Sequence, residues 1–273
     1  MARLAFAQLR KIVDVQRWIS NLGKGSLNFL LGSGEISILF WRTLTASLAV
    51  KIRWRATFEQ AYKVGVASLP LVMLTSLFTG MVLALQSAYQ LRLFSAEQFT
   101  SDLVALSMTR ELAPVLTAMM VAGRVGASMA AELGTMKVTE QIDALQSLAV
   151  NPVHYLVVPR FLAGMTMMVI LTLYADLIGM FGGYVVGVFK LGISSHQYIH
   201  RTVTALLLKD ICTGLVKAFV FGILVSIVSC YYGFQTKGGA EGVGQATTMA
   251  VVVSFISIIV FDTFFTALFY FAF

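Results

Sequence analysis

The sequence is poor in charged residues, which sets the first limit on what kind of protein it encodes. Charged residues make up 12% of the 273 positions and hydrophobic residues make up 58%. Ordinary soluble domains carry about 25% charged residues. So few charges cannot cover the surface of a soluble protein of this length. The composition therefore predicts an integral membrane protein, which needs no such surface.

The sequence is also poor in cysteine, with two in the whole chain. Cys212 and Cys230 fall in one apolar stretch, and eighteen residues of helix would separate them by roughly 27 Å along the axis. They cannot form a disulfide within that helix. A disulfide scaffold is therefore excluded, and both are interpreted as small buried hydrophobic residues.

Sequence motifs for catalysis are absent as well. No G-x-x-x-x-G-K-[ST] phosphate loop occurs, and neither an H-E-x-x-H pair nor a G-x-S-x-G elbow is present. The glycine-rich stretch at 238–244 lacks the lysine and the hydroxyl residue that a nucleotide-binding loop requires. It is therefore interpreted as a flexible cytoplasmic turn between two membrane spans. We therefore predict no catalytic residue, no metal site and no cofactor, and any ATP hydrolysis would belong to a separate subunit.

The net charge of +7 comes entirely from the first 63 residues, which hold ten Lys and Arg against three acidic residues. A basic segment beside hydrophobic spans is typical of a cytoplasmic flank facing anionic lipid, and this location argues against a nucleic-acid partner. Residues 1–63 are therefore predicted to form a basic interfacial or elbow region. In it, Arg3, Arg10, Arg17 and Lys24 share one helical face, which predicts a helix lying in the interface. Residues 36–50 suit a second interfacial or re-entrant segment.

Five later stretches reach the length of about 20 residues that a membrane helix needs. They are predicted over 64–91, 103–122, 161–189, 211–234 and 246–273. The sequence thus predicts an all-α membrane protein whose residues 64–273 form one five-span domain. With the N-terminus in the cytoplasm, that side would hold fourteen Lys and Arg against four outside. The positive-inside rule then predicts a periplasmic C-terminus.

Charged residues inside these spans are the first candidates for a functional site. Arg110 and Glu111 interrupt the second span, and Lys217 interrupts the fourth. Charge at membrane depth is costly unless it is paired or faces a polar cavity. Adjacent helical residues point about 100° apart, so one of Arg110 and Glu111 is expected at a cavity and the other at a helix interface. Two interpretations stay open, a substrate path and a structural ion pair.

The segment between the second and third spans has helical periodicity and a polar face. Its polar residues are Glu132, Lys137, Glu140, Gln141 and Asp143, and Asn151-Pro152 is expected to end the helix. The charge count places it in the cytoplasm. A short amphipathic helix there could bind a soluble partner or serve as a plain connector.

Several strings in this part of the chain resemble one known family. They are Arg110-Glu111-Leu112-Ala113-Pro114, Ala122-Gly123-Arg124, Ala131-Glu132-Leu133-Gly134-Thr135-Met136, Thr139-Glu140-Gln141-Ile142-Asp143-Ala144-Leu145, Pro159-Arg160 and Gly238 to Gly244 followed by Ala246-Thr247-Thr248. Together they resemble the MlaE/YrbE permeases, the membrane subunits of Mla- and Mce-type ABC lipid transporters. The resemblance covers roughly residues 60–270.

The resemblance implies a dimer of five-span permeases, identical or paralogous, with a cytoplasmic coupling helix that binds a separate ABC ATPase. It also implies a lipid cavity open to the periplasm and a periplasmic partner with MCE domains. The implied role is phospholipid movement between the inner and outer membranes of a bacterium. Carried onto this chain, the resemblance makes Arg110, Glu111 and Lys217 candidates for the lipid path. It makes Glu132, Lys137, Glu140, Gln141 and Asp143 candidates for ATPase coupling.

Two other functions are compatible with the residues alone. The buried charges could serve an ion-gradient-driven transporter or channel, or the chain could be a membrane anchor that recruits soluble partners. Transport by the chain alone under an ion gradient would favour the first alternative. Copurification of an ATPase, and loss of transport when that ATPase is disabled, would favour the permease.

Overall fold

The computed structural model describes residues 30–48 and 52–272. The chain divides into two compact units, Met1–Arg42 and Thr43–Phe273. Residues 30–48 are helical and are called α1. The interfacial helix predicted around Arg3 to Lys24 lies outside the described residues. The segment predicted at 36–50 is helical over its described part, and its place at the membrane interface stays a prediction.

The larger unit is a succession of helices. Three of the breaks between them are π-helical turns, at Met108–Leu112, Ala122–Gly126 and Val153–Val157, and two are 3-10 turns, at Val66–Ser68 and Glu97–Phe99. No strand occurs in residues 30–48 and 52–272. The helices are α2 (Trp54–Val64), α3 (Leu69–Arg92), α4 (Thr100–Ser107), α5 (Ala113–Val121), α6 (Ala127–Val138), α7 (Gln141–Ser147), α8 (Val158–Phe189), α9 (Ser195–Ala205), α10 (Leu208–Phe234) and α11 (Gly239–Ala272).

In the described part of the chain, five helical segments are long and apolar enough to cross a membrane, which confirms the predicted all-α, five-span fold. They run over Trp54–Arg92, Glu97–Val138, Val153–Phe189, Leu208–Phe234 and Gly239–Phe271. The second contains 42 residues, or roughly 63 Å of helix at 1.5 Å per residue. A hydrocarbon core of about 30 Å is shorter than this, so the helix continues well beyond the bilayer.

Consecutive spans run in opposite directions, so the connections between them lie at two opposite ends of the bundle. One end, called the α7 end, holds the start of the first span, α7 and the turn at 235–238. The other, called the α9 end, holds the 3-10 turn Glu97–Phe99, α9 and the end of α11. Functional residues can therefore be assigned to an end by their position along each span.

Three of the four prolines closely follow a 3-10 or π turn. Pro70, Pro114 and Pro159 occupy the first turn of α3, α5 and α8. Pro114 lies inside the second span, and the π turn Met108–Leu112 directly precedes its helix. Ala113 closes that turn by donating its backbone N–H to the carbonyl of Met108.

The closest helix packing joins α3 to α8 through glycine. A Cβ on Gly80 would meet the backbone of Gly179, and one on Gly182 would meet the backbone of Leu77. Small residues at such a crossing allow helix backbones to approach, as in other membrane bundles. The glycine series 179, 183 and 187 therefore serves packing within this chain, against α3, Met108, Val104 and Tyr198.

The short helix α9 is held against the bundle by a buried tyrosine and an ion pair. Tyr198 packs against Gly183 and Gly187, and Arg201 Nη1 lies 3.2 Å from Asp102 Oδ2. Burial, together with the nearby Asp102 carboxylate, raises the pKa of Tyr198 above its ordinary value. The α9 end of the bundle is thus a packed structure.

Two details of the predicted connections differ from the structure. The helix predicted between the second and third spans is confirmed as α7, but it begins only at Gln141 because the second span continues to Val138. It ends at Ser147, before Asn151-Pro152. The prediction of a flexible turn over 238–244 was wrong, because α11 begins at Gly239. The turn lies at 235–238, and the two glycines where it meets α11, Gly238 and Gly239, both have a positive φ.

Candidate functional site

A buried lysine at the α9 end organises the main polar cluster. Lys217 of α10 is 1% exposed, and its Nζ lies 2.6 Å from Glu111 Oε2 and 2.9 Å from Asp262 Oδ1. It also donates a hydrogen bond of 2.8 Å to Thr266 Oγ1, and Thr266 donates to Glu111. The side chain is enclosed by the bundle. Lys217 joins α10 and α11 to the π turn of the second span.

A second ion pair lies beside the first. The Arg110 guanidinium contacts Asp210 Oδ1 at 2.6 Å through Nη2 and at 2.9 Å through Nε. Asp210 is buried, whereas 48% of the Arg110 side chain is exposed. Asp210 Oδ2 also accepts a hydrogen bond from the backbone N–H of Leu207 at the start of α10. The aspartate thus fixes one edge of the guanidinium and leaves the rest accessible.

Both ion pairs border one cavity of about 350 Å³. Its wall includes Arg110, Glu111 and Lys217, so the structure brings together the three residues that the sequence singled out. Phe269 and Tyr270 of α11 supply an aromatic side. The cavity therefore combines cationic, anionic and apolar surface, which suits an amphipathic molecule with a charged headgroup.

The π turn explains why Arg110 and Glu111 reach the same cavity. We expected one of them at a cavity and the other at a helix interface, on the geometry of a regular α-helix. Residues 108–112 instead form a π turn, which has more residues per turn than an α-helix, so that adjacent side chains point less far apart around the axis. Each side chain therefore both lines the cavity and pairs with a residue of α10.

The α7 end has a separate cluster centred on Glu132 of α6. Its Oε1 lies 2.8 Å from Lys63 Nζ of α2, and its Oε2 lies 2.8 Å from Arg160 Nη2 of α8. The Arg160 side chain is 7% exposed and also donates to the carbonyl of Leu156. Glu132 therefore ties three helices together within the chain.

The remaining coupling candidates surround α7. Lys137 Nζ lies 2.9 Å from Asp143 Oδ1, so this pair joins the end of α6 to α7. Glu140 is exposed and has a φ of 58°, which sets the sharp change of direction before α7. Gln141 is exposed and donates to Thr139. Glu140, Gln141 and Asp143 thus form one accessible polar surface, which does not include Glu132.

Sequence reasoning missed two members of the cluster at the α9 end, Asp210 and Thr266. Asp210 stands just outside the predicted fourth span, where an acidic residue is unremarkable. Thr266 follows Asp262 by four residues on one helical face, and this spacing was the available signal. Asp262 pairs with Lys217, whereas the buried Oδ1 of Asp176 has no hydrogen-bond partner among the described residues.

Comparison with known proteins identifies the family. The family described as Permease MlaE matches residues 57–268. A "Probable ABC transporter permease protein" of Rickettsia bellii is 45% identical over 251 residues, which are 92% of this chain and 97% of that protein. The "Intermembrane phospholipid transport system permease protein MlaE" of Haemophilus influenzae is 35% identical over 255 residues, 93% of this chain and 98% of that protein.

A plant protein extends the similarity beyond bacteria. "Protein TRIGALACTOSYLDIACYLGLYCEROL 1, chloroplastic" of Arabidopsis thaliana is 37% identical over 228 residues, which are 84% of this chain and 65% of that protein. The family match covers all five membrane-spanning segments in large part. It also includes both polar clusters. This multi-pass membrane protein therefore belongs to the MlaE permease family.

Proposed function

We propose that the chain is the permease subunit of an ABC transporter that moves phospholipid between the inner and outer membranes of a bacterium. The match to the Permease MlaE family over residues 57–268 carries this proposal. The names of the Rickettsia and Haemophilus relatives agree with it, since one is a probable ABC transporter permease and the other an intermembrane phospholipid transport system permease. The chain lies in the inner membrane, with residues 1–63 as a basic interfacial region and 64–273 as the permease domain.

The cavity at the α9 end is the proposed lipid path. A phospholipid phosphate is an anion, and Arg110 presents a partly exposed guanidinium to the cavity while Asp210 holds it in place. Glu111 and Lys217 set the local charge, and Phe269 and Tyr270 offer apolar surface to acyl chains. By the charge count of the sequence, this end faces the periplasm. A periplasmic lipid-binding protein with MCE domains would exchange lipid there.

The driving force would come from other subunits. ATPase subunits of the ABC type bind the exposed surface of Glu140, Gln141 and Asp143 in the cytoplasm, and a second permease subunit completes the transporter. Because α7 joins the second span to the third through a short connection, displacement of α7 would be transmitted to both. The chain itself contributes no chemistry in this mechanism.

Reconstitution tests the function directly. The complex purified with its ATPase is placed in liposomes containing fluorescent phospholipid, together with the periplasmic lipid-binding partner as acceptor or donor. We expect lipid exchange that requires ATP and stops when the phosphate-loop lysine of the ATPase is replaced. Exchange driven by an ion gradient through the chain alone would contradict the proposal and favour a secondary transporter.

Removing the charges of the α7 surface tests the coupling role. We expect Glu140→Gln combined with Asp143→Asn to lower the ATPase recovered with the permease at least about tenfold, a loss of about 1.4 kcal/mol of binding free energy. The fold should persist, because the exposed Lys137 and Asp143 pair contributes only about 0.2–1 kcal/mol. Recovery is measured by quantitative mass spectrometry after purification in mild detergent.

The matched control for this experiment is Glu97→Gln, since Glu97 is an acidic residue of the α9 end that pairs with Arg92. It should leave ATPase recovery unchanged. Equal recovery with the double variant and the wild-type chain would show that these carboxylates do not bind the ATPase.

A further inference from the structure

A small polar pocket at the α7 end is not used by the proposed transport path. Its volume is about 190 Å³, and it lies between α2, the following 3-10 turn and the second span. Its polar wall consists of Gln60, Lys63, Arg124, Ser128 and Glu132. Gln60 and Lys63 come from α2, whereas the other three come from the second span. The pocket is thus built by two separate helices.

Positive charge exceeds negative charge at this pocket. Glu132 is shared by Lys63 and Arg160 at 2.8 Å each, so two cations already neutralise the one carboxylate of the wall. Arg124 adds a third cation. It donates hydrogen bonds to the neutral carbonyl oxygen of Ala67 and, at 3.0 Å, to Ser68 Oγ, and no ion pair of Arg124 occurs among the described residues.

The Arg124 guanidinium has more N–H donors than these two hydrogen bonds use. Both bonds are donated by Nη1, whereas a guanidinium carries five N–H donors in a planar fork. The residue is exposed at the surface of the bundle. Its free edge therefore offers the geometry that binds two phosphate oxygens together.

The pocket lies at the depth expected for lipid headgroups. Lys63 is the last charged residue before the uncharged stretch 64–91 of the first span, and Arg124 contacts Ala67 and Ser68 at the beginning of that stretch. Tyr62 and Val66 beside it are 63% and 47% exposed. Basic residues flanked by exposed aromatic and apolar side chains are typical of the membrane interface.

We propose that this pocket binds the phosphate group of an anionic phospholipid from the leaflet at the α7 end, with Arg124 as the principal donor and Lys63 as the second cation. The acyl chains lie along the exposed apolar surface of the first span. The site requires only that the chain lies in a bilayer. The proposal can therefore be right or wrong independently of lipid transport and of the cavity at the α9 end.

Lipid titration of the full chain in detergent tests the site. Native mass spectrometry follows binding of dioctanoyl phosphatidylglycerol to the wild-type chain and to Arg124→Gln. We expect the affinity of one bound lipid to fall at least about tenfold, since the guanidinium makes charge-assisted hydrogen bonds to phosphate. The same loss is expected in an Arg110→Gln background, which separates this site from the cavity at the α9 end.

A second variant and a control complete the test. Ser128→Leu fills the pocket and leaves Arg124 and its partners in place, so it should cause the same loss even if Arg124→Gln does not fold. Arg55→Gln removes an exposed cation of α2 that pairs with Glu59 outside the pocket, and it should change nothing. Unchanged lipid affinity in Ser128→Leu would overturn the proposal. So would tighter binding of inorganic phosphate than of the lipid, which would identify a free anion as the ligand.

Discussion

Lys217→Ala is expected to destabilise the bundle by about 3–5 kcal/mol, the cost of removing one partner from a buried ion pair. Lys217 is 1% exposed and contacts Glu111, Asp262 and Thr266. Its loss leaves the carboxylates of Glu111 and Asp262 with no cation between them. The second span would then lose its ionic link to α10 and α11.

The measurement is the Tm of the purified chain in detergent, which should fall by about 10 °C for a change of this size in a domain of 150–250 residues. The control is Lys209→Ala. Lys209 belongs to the same helix and borders the same cavity, but it is exposed and forms no ion pair with any residue that the structure describes. Its replacement should change stability by less than about 0.5 kcal/mol.

A third variant separates the charge of Lys217 from its packing. Lys217→Met removes the charge but keeps most of the side-chain volume. A triple variant, Lys217→Met with Asp262→Asn and Glu111→Gln, also removes the unpaired carboxylates. We expect the triple variant to recover much of the stability lost in Lys217→Met, because neutral groups cost less to bury. A triple variant less stable than Lys217→Met would contradict the assignment of the cost to uncompensated charge.

Glu132→Gln is expected to lower stability by about 2 kcal/mol, somewhat less than for a fully buried pair, because one third of the Glu132 side chain is exposed. The change leaves the buried Arg160 guanidinium without a carboxylate and detaches Lys63 of α2. It should lower Tm while the ATPase is recovered normally, since Glu132 binds residues of its own chain. Lys63→Met removes the more exposed partner and should cost less than about 1 kcal/mol.

Comparing Glu132→Gln with the variants of Glu140 and Asp143 decides between two roles. The sequence placed all of these residues in one coupling segment. If Glu132→Gln reduced ATPase recovery without a change in Tm, Glu132 would bind the partner directly, and its role as an internal brace would be wrong. A lower Tm with normal recovery would restrict the coupling surface to α7 and the residue that precedes it.

The sequence predicted the spans well because their signal is local. Uncharged runs such as 64–91 are properties of contiguous residues, and only a helix satisfies its own backbone hydrogen bonds in lipid. The ends of the spans were predicted less well. The second span continues past Arg124 and Glu132 to Val138, because those charges find partners on α2, the following turn and α8 that no local pattern reveals.

The candidate site was likewise predicted in part from local sequence and decided in part by contacts between helices. Their position inside predicted spans singled out Arg110, Glu111 and Lys217, because a charge in an apolar span is costly. Their convergence on one cavity depends on a π turn at 108–112 and on contacts with Asp210, Asp262 and Thr266 across long sequence separations. The family resemblance named the coupling segment, but the contacts of Glu132 separate it from the exposed surface of α7.

The sequence by itself therefore determined that this is a membrane protein with five spans. It also determined that a few charged residues lie inside those spans, where lipid would exclude them. These are consequences of composition and periodicity, which act within a single helix. Only the tertiary structure decided which charges neutralise one another and which remain accessible, because that depends on the distances between side chains of different helices. Arg124 and Arg160 illustrate the difference, since one is exposed with neutral partners and the other is buried against a carboxylate.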